Sequence, residues 1–246
     1  MISVKRVSLF VTCIVDMLFP DTGEATLDIL EKLGLQVDFP AAQTWCGQPA
    51  FNSGFQAESR IVARKFLQDF KDSEAIVTPS GSCASMVKHF YHELFKGQPE
   101  EQLAHDVAAK TWELTEFIVD VMGVTNIGTT LNRPMTAMIH DACHGLRGLN
   151  ISKQPRVLLS NVKNLSLVDL PGCDQCCGFG GLFAVKMSQI STAMLNDKLT
   201  NINGVPNADI IITGDASCLM HMNGGLSRQN SPRQVVHIAE VLAGKI

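Results

Sequence analysis

Residues 173–181 read CDQCCGFGG. Three cysteines, Cys173, Cys176 and Cys177, fall within five residues, and glycines crowd in behind the adjacent pair. A disulfide, a metal site, a nucleophile or plain core filling can each put thiols in such a place. The other five of the eight cysteines decide among these chemistries, and they decide the fold as well.

Those cysteines form a repeat. Cys13 ends VSLFVTC, and Cys143 ends TAMIHDAC 130 residues later. Cys46 lies in TWCGQPAFNSG, and Cys177 lies in QCCGFGGLFAV 131 residues later. Cys83 ends AIVTPSGSC, and Cys218 ends IIITGDASC 135 residues later. Three ordered matches at near-constant offset argue for duplication of a unit of roughly 120 residues.

The segments between the cysteines alternate in character. Short apolar runs at 4–12, 75–78, 135–140, 157–159, 165–170 and 209–213 read as strands. Helical patterns cover 22–33, 56–70, 84–95, 100–122, 182–201 and 232–242, with Gly34 as a stop signal. Strand–helix alternation predicts α/β architecture with parallel sheets. With the repeat, it predicts two Rossmann-like lobes related by a pseudo-twofold. The first lobe spans 1–122, the second 134–246, and the Gly-, Asn- and Thr-rich stretch 123–133 links them.

Composition narrows the function. The chain has 246 residues and is 46% hydrophobic, which is ample for a packed core and unlike a disordered chain. A net charge of −4 and a single tyrosine give no basis for binding nucleic acid. No apolar run reaches the length of a membrane span. The N-terminus has two positive charges and then an apolar stretch, as a signal peptide does. Asp16 interrupts that stretch, and a small-residue cleavage pattern is missing. The segment therefore reads as a buried first strand, with export as the alternative. A cytosolic location follows, where thiols stay reduced and a cysteine-rich chain points to metal or redox chemistry.

Cys13, Cys83, Cys143 and Cys218 each follow an expected strand, and Cys83 and Cys218 open expected helices. Ligands of open α/β sheets bind beyond the carboxyl ends of the strands. A helix N-terminus there favours a thiolate. Cys143, Cys176, Cys177 and Cys218, with Cys173 nearby, give enough thiolates for zinc or an iron–sulfur cluster. A Cys173–Cys176 redox disulfide is a competitor, although Pro171-Gly172 before it reads as loop. Adjacent ligands suit a cluster of several irons better than one tetrahedral zinc. A buried apolar cysteine accounts for Cys13 taken alone.

These residues resemble the cysteine-rich CCG-domain family, whose motif is Cys, then CCG, then CxxC, occurring twice. Here the second copy is Cys143, Cys176-Cys177-Gly178 and Cys218. The first is Cys13, Trp45-Cys46-Gly47 and Cys83. The segments CIVDMLFPDTGEATLDILEKLG and CGQPAFNSG look like the lactate-utilization members in particular. The resemblance implies an iron–sulfur subunit of a cytosolic oxidoreductase complex that oxidises L-lactate to pyruvate. It implies a [4Fe–4S]-type cluster in the second half, and zinc or a second cluster on Cys13, Cys46 and Cys83. It also implies partner subunits, including a ferredoxin-type iron–sulfur protein, and a small 2-hydroxy acid as substrate. Two other readings stay open: heterodisulfide reductase-like thiol chemistry at the cluster, and a zinc-binding assembly protein without enzymatic activity.

The departures from the motif are specific. Trp45 replaces the leading cysteine of the first CCG, and neither half completes the CxxC. His221 stands where the second half lacks its last thiol, either as a further ligand or as a surface histidine. His140, Asp141 and His144 flank Cys143 and can relay protons, tune a cluster or cap a turn. Arg147 suits a carboxylate or an acidic side chain. Arg60 and Arg64 read as solvated, and Met187 and Met194 as core. The GFGG run lacks dinucleotide-binding spacing, and no flavin or nicotinamide motif is evident.

Overall fold

The computed structural model describes residues 4–246. The first three positions of the expected first lobe lie outside the described residues. The chain divides into two compact units, one ending at Val124 and the other running Thr125–Ile246.

Each unit is built on a four-stranded parallel sheet. The first contains β1 (Arg6–Leu9), β2 (Gln36–Asp38), β3 (Ile76–Thr78) and β4 (Thr111–Glu113), in the order β2-β1-β3-β4. The second contains β5 (Thr130–His140), β6 (Lys163–Val168), β7 (Ile210–Thr213) and β8 (Gln234–His237), in the order β6-β5-β7-β8. The second order repeats the first, strand for strand, so the internal repeat seen in the cysteines is also a repeat of topology. These are two Rossmann-like α/β lobes. In each, the strand order reverses beside the first strand, between β1 and β3 and between β5 and β7. Such a switch point is where open parallel sheets bind ligands.

The central strands β3 and β7 are buried along their whole length, as parallel strands covered by helices on both faces must be. Helix Gln56–Phe70 buries Ser59, Ala63, Phe66, Leu67 and Phe70, a stripe at helical spacing. Helix Pro20–Lys32 ends in a Schellman turn. The Gly34 N–H bonds to the Glu31 carbonyl, the Leu35 N–H bonds to the Leu30 carbonyl, and Gly34 takes φ +82°.

Several local expectations are corrected. Residues 157–159 lie in helix Lys153–Ser160, not a strand, because Leu158 and Leu159 form the buried face of one helical turn. A three-residue apolar run cannot distinguish these states. The single helix expected over 100–122 is interrupted by β4, which pairs with β3. Glu113 then restarts the helix through a capping box with Glu116. The segment 232–242 begins as β8 and becomes helix Ile238–Ala243. β2 is a short, largely exposed edge strand without apolar signal. β5 begins at Thr130, inside the stretch read as a link. Met187 is 53% exposed because it sits at the break between helices Leu182–Lys186 and Ser188–Asn203. Among the described residues, no helix is long and apolar enough to cross a membrane.

Candidate metal centre

In the second lobe, four cysteines converge at the carboxyl end of the sheet. Cys143 follows β5 and leads into the π-helical turn His144–Gly148. Cys218 is the third residue of helix Ala216–Arg228, after β7. The Asp215 carboxylate caps that helix by accepting from the Ser217 N–H at 3.1 Å. Cys176 and Cys177 come from the glycine-rich loop between β6 and the helices. The Cys177 Sγ lies 3.2 Å from the Cys218 Sγ. The Gly178 N–H donates to the Cys176 Sγ at 3.4 Å.

The thiols form a connected series, Cys143–Cys176–Cys177–Cys218, in which charge is unevenly shared. A hydrogen bond from the Cys143 thiol, contact with Cys177, and the Gly178 N–H hold Cys176 far below the ordinary thiol range. Interaction with Cys176 pushes Cys143 and Cys177 upward, Cys218 raises Cys177 further, and burial adds to both. Cys218 is drawn down to about 7 by its hydrogen bond from Cys177, against burial and with help from His140. Acidic and protonated thiols thus alternate through a site that a cation would load by displacing protons.

Glycine makes the loop possible. Gly178 has φ +91°, and a Cβ there would meet the Ser191 carbonyl oxygen at 2.6 Å. The first lobe repeats the device, with Gly47 at φ +82° against Ser59. Each glycine lets the backbone beside its cysteine approach a serine of a later helix closely.

His140 ends β5, in register with Thr213 of β7. It is 1% exposed, and neither ring nitrogen meets hydrogen-bond geometry among the described residues, although the ring is near enough to Cys218 to lower that thiol. A ligand atom of His140, the Cys177 Sγ and the Cys218 Sγ all lie within 4.8 Å of one another. Leaving such a buried group unsatisfied ordinarily costs about 1–3 kcal/mol. Lys198 was not singled out in the sequence, although a lysine beside Leu195 and Leu199 on an apolar helix face is an anomaly. It is buried, and its Nζ donates to the Gly172 carbonyl. Burial lowers its pKa, while Cys173 and Cys177 oppose that shift.

The remaining candidates lie outside this series. Cys173 sits with an ion pair: Arg156 makes two hydrogen bonds to Asp141, at 2.7 and 2.8 Å, and reaches the Cys173 Sγ at 3.9 Å. Burial, then Asp141, raises the Cys173 thiol. It lines a separate cavity of about 450 Å³ with Arg156, Val157 and Leu170. His221 is half-buried, with Nε2 3.4 Å from the Ser191 Oγ and its ring 5.7 Å from that of Phe179. His144 Nδ1 is 3.7 Å from the Cys143 Sγ. Arg147 donates to the Asp174 carbonyl. Arg60 and Arg64 are anchored, to the Leu94 carbonyl and to Glu100, not merely solvated.

In the first lobe the Cys46 Sγ lies 3.3 Å from the Cys83 Sγ. Ser80 caps the short helix Gly81–Ser85 by accepting from the Cys83 N–H at 3.3 Å. Cys13 opens helix Cys13–Leu18 at the end of β1. The surroundings are aromatic: Phe10, Phe66, Phe70 and Tyr91 are fully buried, and the Tyr91 hydroxyl donates to the Cys46 carbonyl at 3.0 Å. Trp45 is 52% exposed. No disulfide joins any of the eight cysteines.

Four soft thiol donors beside an unsatisfied imidazole suit iron–sulfur or zinc binding better than any hard oxygen-preferring cation. The sequence profile of the cysteine-rich domain (CCG) matches residues 7–88 and again residues 137–223. This chain belongs to the CCG cysteine-rich domain family. Its two matches fall one in each lobe. Relatives agree along nearly the whole length. Lactate utilization protein A 2 of Bacillus cereus (strain Q1) is 47% identical over 240 residues, covering 97% of this chain and 98% of that protein. Lactate utilization protein A of Geobacillus thermodenitrificans (strain NG80-2) is 47% identical over 238 residues, covering 96% and 98%. Among solved structures, glutamate racemase RacE1 of Bacillus anthracis aligns over 99% of this chain and 80% of its own, at 11% identity and a TM-score of 0.34. That likeness is too weak to bear on the fold or the chemistry.

Proposed function

We infer that this chain is the iron–sulfur subunit of a cytosolic oxidoreductase complex in L-lactate utilization. One observation carries the reading: four thiols converge at the switch point of the second sheet. They do so in a chain 47% identical to a lactate utilization protein A. Cys143, Cys176, Cys177 and Cys218 would hold a [4Fe–4S]-type cluster. The contacts of Cys173 and His221 favour leaving both outside that set. The first-lobe trio Cys13, Cys46 and Cys83 would be a lesser site, for zinc or for a second cluster with an open position.

When bound, such a cluster supplies one-electron transfer. Oxidation of lactate to pyruvate releases two electrons and two protons, so an acceptor must take the electrons onward. A ferredoxin-type partner subunit fits that requirement. The chain's own residues prepare the site for charge. Cys177 and Cys218 are 2% and 5% exposed, which excludes water. Lys198 and the Gly178 N–H offset negative charge on the sulfurs. Zinc is the second reading, favoured by the compact group His140, Cys177 and Cys218.

Iron, acid-labile sulfide and zinc per chain, measured after anaerobic purification of the wild type and Cys177→Ser, separate the two. About four irons and four sulfides, lost in the variant, support the cluster. Zinc alone, or no metal, overturns it.

A further inference from the structure

His140 is a buried base whose ring nitrogens meet no hydrogen-bond geometry and whose electrostatic partners are thiols, set against the two most deeply buried thiols of the second lobe. A buried imidazole ordinarily gives its N–H to a carbonyl, a carboxylate or a water. Here the ligand atoms of His140, Cys177 and Cys218 share a sphere of 4.8 Å. Around one tetrahedral metal ion, with bonds of about 2.0–2.3 Å, ligand atoms sit about 3.5–3.8 Å apart. The trio is therefore close to the spacing of a common metal.

The first lobe provides an internal comparison. Phe10 precedes Cys13 by three residues, as His140 precedes Cys143. The Phe10 ring packs edge-on against Phe66 at 4.8 Å and Phe70 at 5.7 Å. That position is thus a core plug in the lobe with the incomplete thiol set. In the lobe with four converging thiols the same position carries a nitrogen donor. His221, the histidine that the motif places at the missing thiol, already meets the Ser191 hydroxyl and the Phe179 ring.

We propose that His140 is a nitrogen ligand of the second-lobe metal centre, bound to one metal ion beside Cys177 and Cys218. This assignment rests on the cluster reading above. One ring nitrogen donates its lone pair, the other keeps its proton, and no electrons change hands. A neutral imidazole adds a ligand without adding negative charge, where a fifth thiolate would add one. The reduction potential is therefore higher than a fifth thiolate would leave it, in the sense that histidine ligation raises the potential of Rieske irons.

The test uses the full chain, labelled with ¹⁵N-histidine, loaded with iron and sulfide under anaerobic conditions and reduced with dithionite. Pulsed electron paramagnetic resonance then reads nitrogen coupled to the cluster. The wild type is expected to show a strongly coupled histidine nitrogen. His140→Gln loses it while keeping iron and sulfide, and His221→Gln keeps it. Where His140→Gln fails to load, His140→Phe places the first-lobe residue at the site. Loss of the cluster from both variants, with far-ultraviolet circular dichroism unchanged and the coupling intact in His221→Gln, also supports ligation. A loaded wild type without histidine coupling overturns the assignment and leaves the cluster reading standing. Coupling that survives His140→Gln, or vanishes in His221→Gln, overturns it too. A wild type that binds no iron or sulfide defeats the cluster reading itself, which is a separate and recognisable failure.

Discussion

Cys177 and Cys218 hold their sulfurs 3.2 Å apart, one on a glycine-rich loop and the other in the first turn of a thirteen-residue helix. Cys173 lies only four residues before Cys177, yet its contacts are with Asp141 and Arg156. The two loop cysteines should therefore behave differently. Cys177→Ala should lower metal affinity at least about tenfold, as loss of a direct ligand exceeds the usual effect of an outer contact. Cys173→Ala should keep the wild-type metal content. Metal analysis after anaerobic dialysis against a chelator checks both. Equal metal loss in the two variants would bring Cys173 into the ligand set.

Gly178→Ala should disrupt the site through the backbone. The residue has φ +91°, and the added Cβ would lie 2.6 Å from the Ser191 carbonyl oxygen and 3.0 Å from the Met194 Cβ. Helix backbone cannot yield as a flexible side chain would. Destabilisation of about 2–4 kcal/mol is expected, combining left-handed strain with the clash. Gly34→Ala is the control, since its φ is +82° but nothing lies within 4 Å of an added Cβ. It should cost about 1–2 kcal/mol. Urea unfolding of both variants, with metal content alongside, makes the comparison. Equal destabilisation would show that Ser191 is not the obstacle.

The cysteine repeat was legible because thiols are rare and their spacing survives duplication. The Rossmann-like lobes followed from it together with the alternating strands and helices. β4 and β8 were hidden for a different reason. Each is short and directly followed by a helix, so Thr111–Glu113 and Gln234–His237 vanish inside longer helical windows. Lys198 was hidden because helical periodicity does not distinguish a buried lysine from a solvated one. His140 was visible only as a neighbour of Cys143. Its significance depends on hydrogen bonds it does not make, and a sequence cannot display those.

Lys198→Met should lower the reduction potential of a second-lobe cluster. The ammonium is buried on a helix beside the cysteine loop, and its charge is felt by Cys173 and Cys177. Methionine keeps the apolar stem and removes the charge. Loss of one nearby positive charge disfavours the extra electron by an amount on the order of tens of millivolts. Redox titration of the loaded wild type and variant measures the shift. An unchanged potential would make Lys198 a tether for the Gly172 carbonyl and nothing more.

Glu113 gives the first lobe a pH dependence of its own. It is 2% exposed and caps the helix that restarts after β4, accepting from the Thr115 N–H at 2.7 Å and the Glu116 N–H at 3.1 Å. Burial outweighs these bonds and raises its carboxyl from 4.5 to about 7. Between those values the folded state keeps a proton that the unfolded chain has released. Stability from this group is therefore full below pH 4.5 and falls as pH rises, until the loss is complete above pH 7. Glu113→Gln has no such proton to lose. Relative to wild type, the variant should gain roughly 3 kcal/mol as pH rises through this window. Both tryptophans, Trp45 and Trp112, belong to the first lobe, so tryptophan fluorescence during urea unfolding reports this lobe selectively. Parallel stability profiles for wild type and variant would mean that Glu113 is already ionised in the folded protein at pH 5, with its capping bonds stronger than its burial.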